Sequence, residues 1–132
     1  MSRKTIRKEI ASIFEDTEEF NQVTDYAPVS YRGMDKLLAV YTARTKHRQE
    51  TKHLEHNFYA YVLSVMVKRS GSSTEDDLDD LHDVIRSTVK DNQVNDNWDL
   101  LSLEEDSQAG FTENEGSAYR VEAHILLVKE TT

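Results

Sequence analysis

The sequence predicts an α+β domain: a four-stranded, mainly antiparallel sheet with two helices on one face, in the order α-β-β-α-β-β. Three observations lead there. Residues 2–20 and 74–91 carry apolar side chains at helical spacing. Four other stretches mix β-branched and aromatic residues with period-two alternation. Short clusters of Gly, Pro and polar residues separate these stretches, and 132 residues and 15.2 kDa suit one domain over residues 1–132.

The first helix is expected from Ser2 to Phe20, because Ile6, Ile10, Ile13 and Phe14 form one stripe. NQVTDYAPVSYRG follows as a connector, since Pro28 biases Ala27 away from helix and Gly33 is a second breaker. Leu37 to Arg44, LLAVYTAR, shifts to strand period, and a charged tip, TKHRQETKHLEHN, comes after it. The second strand, Phe58 to Arg69, has Tyr59, Tyr61, Leu63, Val65 and Val67 on one face and Phe58, Ala60, Val62, Ser64 and Met66 on the other. Ser72 or Ser73, with Glu75 or Asp76 three residues on, predicts a capping box for a helix from Thr74 to Asp91. Its core stripe is Leu78, Leu81, Ile85 and Val89, and its acidic early turns suit the helix dipole. WDLLSLEEDS and GSAYRVEAHILLVKE read as two last strands joined across the turn QAGFTENEG.

Composition limits the function. A formal charge of −9 argues against a general nucleic-acid binder, which needs clustered cations for phosphates. The chain has no cysteine, which removes disulfides, thiolate zinc sites and thiol nucleophiles and fits a reducing compartment. No run reaches the roughly 18 apolar residues of a membrane span, and MSRKTIRKEIASIF is amphipathic, so a soluble, unprocessed chain without membrane contact is expected.

The last strand raises the question of faces. Tyr119, Val121, Ala123, Ile125 and Leu127 form one apolar row, expected under the helices, while Arg120, Glu122 and His124 give way to Leu126 and Val128 on the other side. An antiparallel sheet covered on one face normally turns polar residues to water on the second. Phe58, Val62, Met66, Leu126 and Val128 would instead leave a patch of roughly 500 Å² there, at the upper end for a monomer. These five are the candidate subunit interface. The alternative is that the connector around Tyr26, Val29 and Tyr31 folds over them.

In element order, size and acidity, and in ending on AYRVEAHILLVKE, the chain resembles the tail terminator proteins of long-tailed bacteriophages, also called tail completion or tail-to-head joining proteins. The resemblance covers nearly the whole chain and rests on no invariant motif. It implies a non-enzymatic virion protein without cofactor, assembled in the host cytoplasm. Its copies would form a homohexameric ring that caps the tail tube, ends tail polymerisation and receives the head connector. The implied partners are other copies of itself, the tail tube protein and the head-tail connector protein. DNA would pass the channel without specific binding, since an acidic wall repels phosphates.

Other features are weighed against that reading. Arg44, Lys46, Arg48, Lys52 and His53 form a basic tip suited to docking an acidic partner. His53 and His56 have the i, i+3 spacing of a helical metal pair, but solvated tip histidines explain them better. EDDLDDLHD lacks the ligand spacing and central Gly of an EF-hand. No serine has a G-x-S-x-G setting, and no Gly-rich loop follows a strand. Trp98 reads as a core or interface anchor. No catalytic, cofactor-binding or metal-ligating residue is therefore expected. A small acidic interaction module, such as an immunity or inhibitor protein masking a basic enzyme, is the second reading of the same charge.

Overall fold

The structure, a computed structural model, describes residues 2–111 and 118–131. Helix α1 spans Arg3–Asp16, opened by Ser2, whose hydroxyl accepts the Thr5 N–H at 3.2 Å. It ends four residues before Phe20, because the Thr17 hydroxyl donates to the Phe14 carbonyl and Glu18 turns left-handed at φ 58°. The expected connector contains a strand, β1 (Gln22–Thr24), which runs parallel to the start of β2 (Leu37–Thr51).

The charged tip is a ladder rather than a loop. β2 and β3 (Leu54–Lys68) pair antiparallel over almost their whole length, with a bulge between Thr42 and Arg44 and a turn at Lys52 and His53. Cross-strand contacts such as His56 to Glu50 at 3.3 Å and His47 to Asn57 hold the polar end. After the hairpin, α2 spans Ser73–Asp91. Ser72 makes no side-chain cap bond, so the expected capping box is absent. Thr74 takes part instead, its hydroxyl accepting the Ser70 N–H at 2.9 Å.

Three strands complete the sheet: β4 (Trp98–Leu103), β5 (Gln108–Phe111) and β6 (Tyr119–Glu130). The strand order is β1-β2-β3-β6-β4, with β5 also on β6, so the four-stranded sheet expected from sequence is replaced by six strands in one curled, mixed sheet. The element order becomes α-β-β-β-α-β-β-β. β4 and β5 line the same edge of β6 in tandem, β4 opposite Leu126–Glu130 and β5 opposite Arg120–Ala123. β5 occupies part of the expected turn QAGFTENEG, of which 112–116 lie outside the described residues.

Both helices cover one face. Ile6, Ile10 and Phe14 of α1 and Leu78, Leu81, Ile85 and Val89 of α2 share a core with Leu38, Val40, Tyr59, Tyr61, Leu63, Val65 and Val67. The register then decides β6. Tyr61 lies opposite Leu126 and Tyr59 opposite Val128, so Leu126 and Val128 join that core and are 0% and 2% exposed. The expected parity of the last strand is thus reversed. Ile125 and Leu127 lie on the second face, half-buried, with Val62 and Ala60 opposite them.

The core phenols carry a pH prediction. Tyr61 donates to the Arg3 carbonyl at 2.7 Å, and burial raises the pKa of Tyr61 and Tyr59, for Tyr59 reinforced by nearby Glu130. Phenols kept protonated in the folded state stabilise it fully below their unfolded pKa of about 10 and lose that contribution as pH rises toward the folded values. The urea midpoint should therefore fall above about pH 10. Tyr61→Phe should flatten that fall, measured by circular dichroism across the alkaline range.

Candidate functional site

The second face of the sheet is built by β-strand alternation. Once Tyr59, Tyr61, Leu63 and Val65 point under the helices, Phe58, Ala60, Val62, Ser64 and Met66 must point the other way. β2 brings Leu37, Ala39 and Tyr41 opposite Met66, Ser64 and Val62, and β6 brings Val121, Ala123, Ile125 and Leu127 to their other side.

One end of this face is covered. Met66, Leu37 and Tyr119 are buried with Tyr31, Met34 and Val121 packed on them, and the Tyr31 and Tyr119 rings lie 6.0 Å apart. The connector therefore folds over the sheet through Tyr31 and Met34. Tyr26 and Val29, also expected there, stay exposed. Toward the other end the face is less covered: Ala39, Ser64 and Ala60 are buried, Phe58, Val62, Ile125 and Leu127 are half-buried, and the face holds a groove of about 320 Å³ whose floor includes Phe58, Ala60, Leu127 and the exposed Leu100.

The groove is rimmed by cations. Beyond the bulge, Arg44, Lys46 and Arg48 lie opposite Ala60, Phe58 and His56, which puts all three on the open face, and Lys129 joins them from β6. Arg44 also reaches Glu104 at 2.6 Å. Both partners are substantially exposed, so this pair adds little stability and serves mainly to orient the guanidinium at the rim.

The candidate residues thus sort as follows. Phe58 and Val62 lie on the open face, while Met66 lies under the connector and Leu126 and Val128 lie under the helices. Of the basic set, Arg44, Lys46 and Arg48 meet Phe58 in one groove, and Lys52 and His53 sit at the turn of the hairpin. His56 lies in β3, so it forms no helical pair with His53. Sequence reasoning missed Leu100, Ile125, Leu127 and Lys129. The signal available was that Ile125 and Leu127 share one strand face, but which face depends on the register with β3.

The polar half of β6 explains the reversal. Arg120, Glu122 and His124 lie on the helix side, where α2 supplies partners to Arg120 and Glu122 and His124 stands against Glu122. Arg120 pairs with Glu75 at 2.7 Å, and Glu122 takes His82 at 2.7 Å and His124 at 2.6 Å. Polar side chains can line a helix-covered face when partners meet them there.

Comparison with known proteins finds likeness among solved structures and none elsewhere. No protein-family model matches the sequence, and no curated protein matches it. A chain from the virion of a native gene transfer agent particle has a similar fold, with a TM-score of 0.55 and 10% identity. The match covers 96% of this chain and 90% of that one. At that identity the likeness is one of fold. Among the described residues, no helix is long and apolar enough to cross a membrane.

Proposed function

We propose that this chain is a structural protein of a virion-like particle and, within it, a tail terminator whose copies form a ring on the end of a tail tube. The observation that carries the proposal is the end-to-end likeness of fold to a gene transfer agent virion chain. The open face supports it: Val62, Ile125 and Leu127 offer apolar area that a neighbouring copy would cover. The role is structural rather than catalytic.

Phe58 and Val62 stay in the proposed subunit interface, joined by Ile125 and Leu127. Arg44, Lys46 and Arg48, with Lys52 and His53 at the turn, form an arm that would dock an acidic partner ring at the head side. In a chain of charge −9, such an arm also has complementary surface on other copies, since Asp76, Asp79, Asp80 and Asp83 are exposed on α2. A contact between different surfaces of identical copies closes into a ring when the rotation permits. The remaining acidic surface would keep DNA from adhering in the channel.

Native mass measurement of the purified protein, alone and with tail tube protein, tests this reading. A closed oligomer, hexameric on the tail terminator model, or one that forms on tube ends, is the expected result. A strict monomer that never associates with tubes would overturn it, and a one-to-one complex with a basic enzyme would favour an inhibitor instead.

A further inference from the structure

On the opposite side of the sheet from the open face, three ligand-type side chains converge. His82 comes from the middle of α2, and Glu122 and His124 stand two residues apart on β6, so strand alternation puts both toward the helix. His82 Nδ1 lies 2.7 Å from Glu122 Oε1, and His124 Nε2 lies 2.6 Å from the same oxygen. The potential ligand atoms of all three residues fall within 4.8 Å of one another.

The cluster is under-satisfied as a set of hydrogen bonds. His82 bonds Glu122, but the approach of His124 Nε2 lacks hydrogen-bond geometry, leaving that nitrogen buried and without a hydrogen-bond partner. The His124 side chain is 5% exposed, so water does not replace the missing partner readily. A buried nitrogen left this way is destabilising.

From this geometry we infer that His82, Glu122 and His124 bind a divalent transition metal ion, zinc by preference. Two imidazoles and one carboxylate are a zinc donor set that leaves a further position for water. Ligand bonds of about 2.0–2.2 Å around a tetrahedral ion hold donor atoms roughly 3.3 Å apart. The two close contacts to Glu122 therefore open by less than about 1 Å, which small side-chain rotations supply. His82, with a third of its side chain exposed, leaves a side open for the ion to enter.

Position explains what the ion would do. β4 ends opposite Leu126 and β5 begins opposite Ala123, so His124 falls between the two stretches of edge pairing, where the Glu104 N–H donates to the Ile125 carbonyl at 2.9 Å. A metal shared by α2 and β6 would staple helix to sheet at that gap. This departs from the sequence reading, in which no metal ligand was expected and attention fell on His53 and His56. The overlooked signal is Glu122-x-His124 on one strand face.

The test is a zinc titration of chelator-stripped full-length protein by calorimetry, with cobalt absorption as the probe of ligand type. One equivalent per chain is expected, with a melting temperature raised by roughly 5 °C or more at a hundred times Kd. His82→Ala, at a half-exposed position, should keep the fold and weaken binding at least about 100-fold, because even losing a group that only orients a ligand costs about 10–100-fold. Glu122→Gln should likewise remove the cobalt bands. Combined alanine substitution of His47, His53 and His56 should leave both readouts unchanged. Absence of stoichiometric binding, or binding in folded His82→Ala equal to that of the parent, overturns the inference.

Discussion

Leu126→Lys is expected to unfold the chain, whereas Ile125→Lys, one residue away, should leave the fold intact and abolish self-association. Leu126 is 0% exposed, opposite Tyr61 on one side and Leu103 on the other, within the core beneath the helices. An ammonium there has no carboxylate to meet and no route to water. Burial of an unpaired charge is among the few single changes that cost about 4–5 kcal/mol or more, against a total stability of about 5–15 kcal/mol for a domain. Ile125 faces the other way, half-buried beside Val62, where a lysine can reach solvent along its methylene chain at a cost of about 1 kcal/mol. Its effect should therefore fall on a neighbouring copy, whose apolar surface would lose its partner and meet a charge. Circular dichroism melts and light scattering after size exclusion separate the two outcomes. A folded, cooperative Leu126→Lys would mean the face assignment is wrong. An Ile125→Lys that assembles like the parent would remove the open face from the proposed contact.

That pair also shows what could be read from the sequence. The two amphipathic helices were legible because period 3.6 is a local property: Ile6, Ile10 and Phe14, and Leu78, Leu81 and Ile85, mark their faces without knowledge of the rest of the chain. The core side of β3 was legible for the same reason. β6 was not, because its two rows are both partly apolar and its orientation follows from register with β3, a non-local quantity. Arg120, Glu122 and His124 looked like a row facing water. They are tolerated beside α2 because Glu75 and His82 meet them there, and nothing within β6 itself encodes those partners. β1 and β5 escaped notice because strands of three and four residues carry too little periodicity to stand out from turns. The hairpin tip was missed differently: its residues are polar on both sides, so its order comes from the backbone ladder and cross-strand pairs rather than from burial. The sequence named Arg44, Lys46 and Arg48, but the groove they surround was not legible, since Leu100, Leu127 and Lys129 come from strands whose register had to be seen.

Trp98→Ala should be the most destabilising single truncation outside the sheet centre, costing about 3–5 kcal/mol and lowering the melting temperature by roughly 10–20 °C. Trp98 is 0% exposed and opens β4 directly after the turn that follows α2. Two contributions can be separated. The indole Nε1 donates to the Asn92 carbonyl at 2.8 Å, tying β4 to the end of α2, and its loss costs about 1 kcal/mol, because half-buried Asn92 can recruit water. The larger share is apolar: an empty space the size of an indole, in a core that cannot collapse to fill it. Its surroundings are fixed by polar contacts. Asn95 Oδ1 accepts the N–H groups of Asn97 and Trp98 at 2.8 and 3.0 Å, and Glu9 of α1 accepts from the side chains of Asn95 and Asn97. That network holds the turn and α1 in place around the cavity, so relaxation is limited and the cost should fall in the upper part of its range. Trp98→Phe keeps most of the ring volume and loses the hydrogen bond, so it should cost clearly less than Trp98→Ala. Equal losses for the two variants would assign the effect to the hydrogen bond, and a loss below about 1.5 kcal/mol for Trp98→Ala would mean the cavity refills. Urea unfolding followed by far-ultraviolet circular dichroism suits all three proteins, since Trp98 is the only tryptophan and its fluorescence is lost with it.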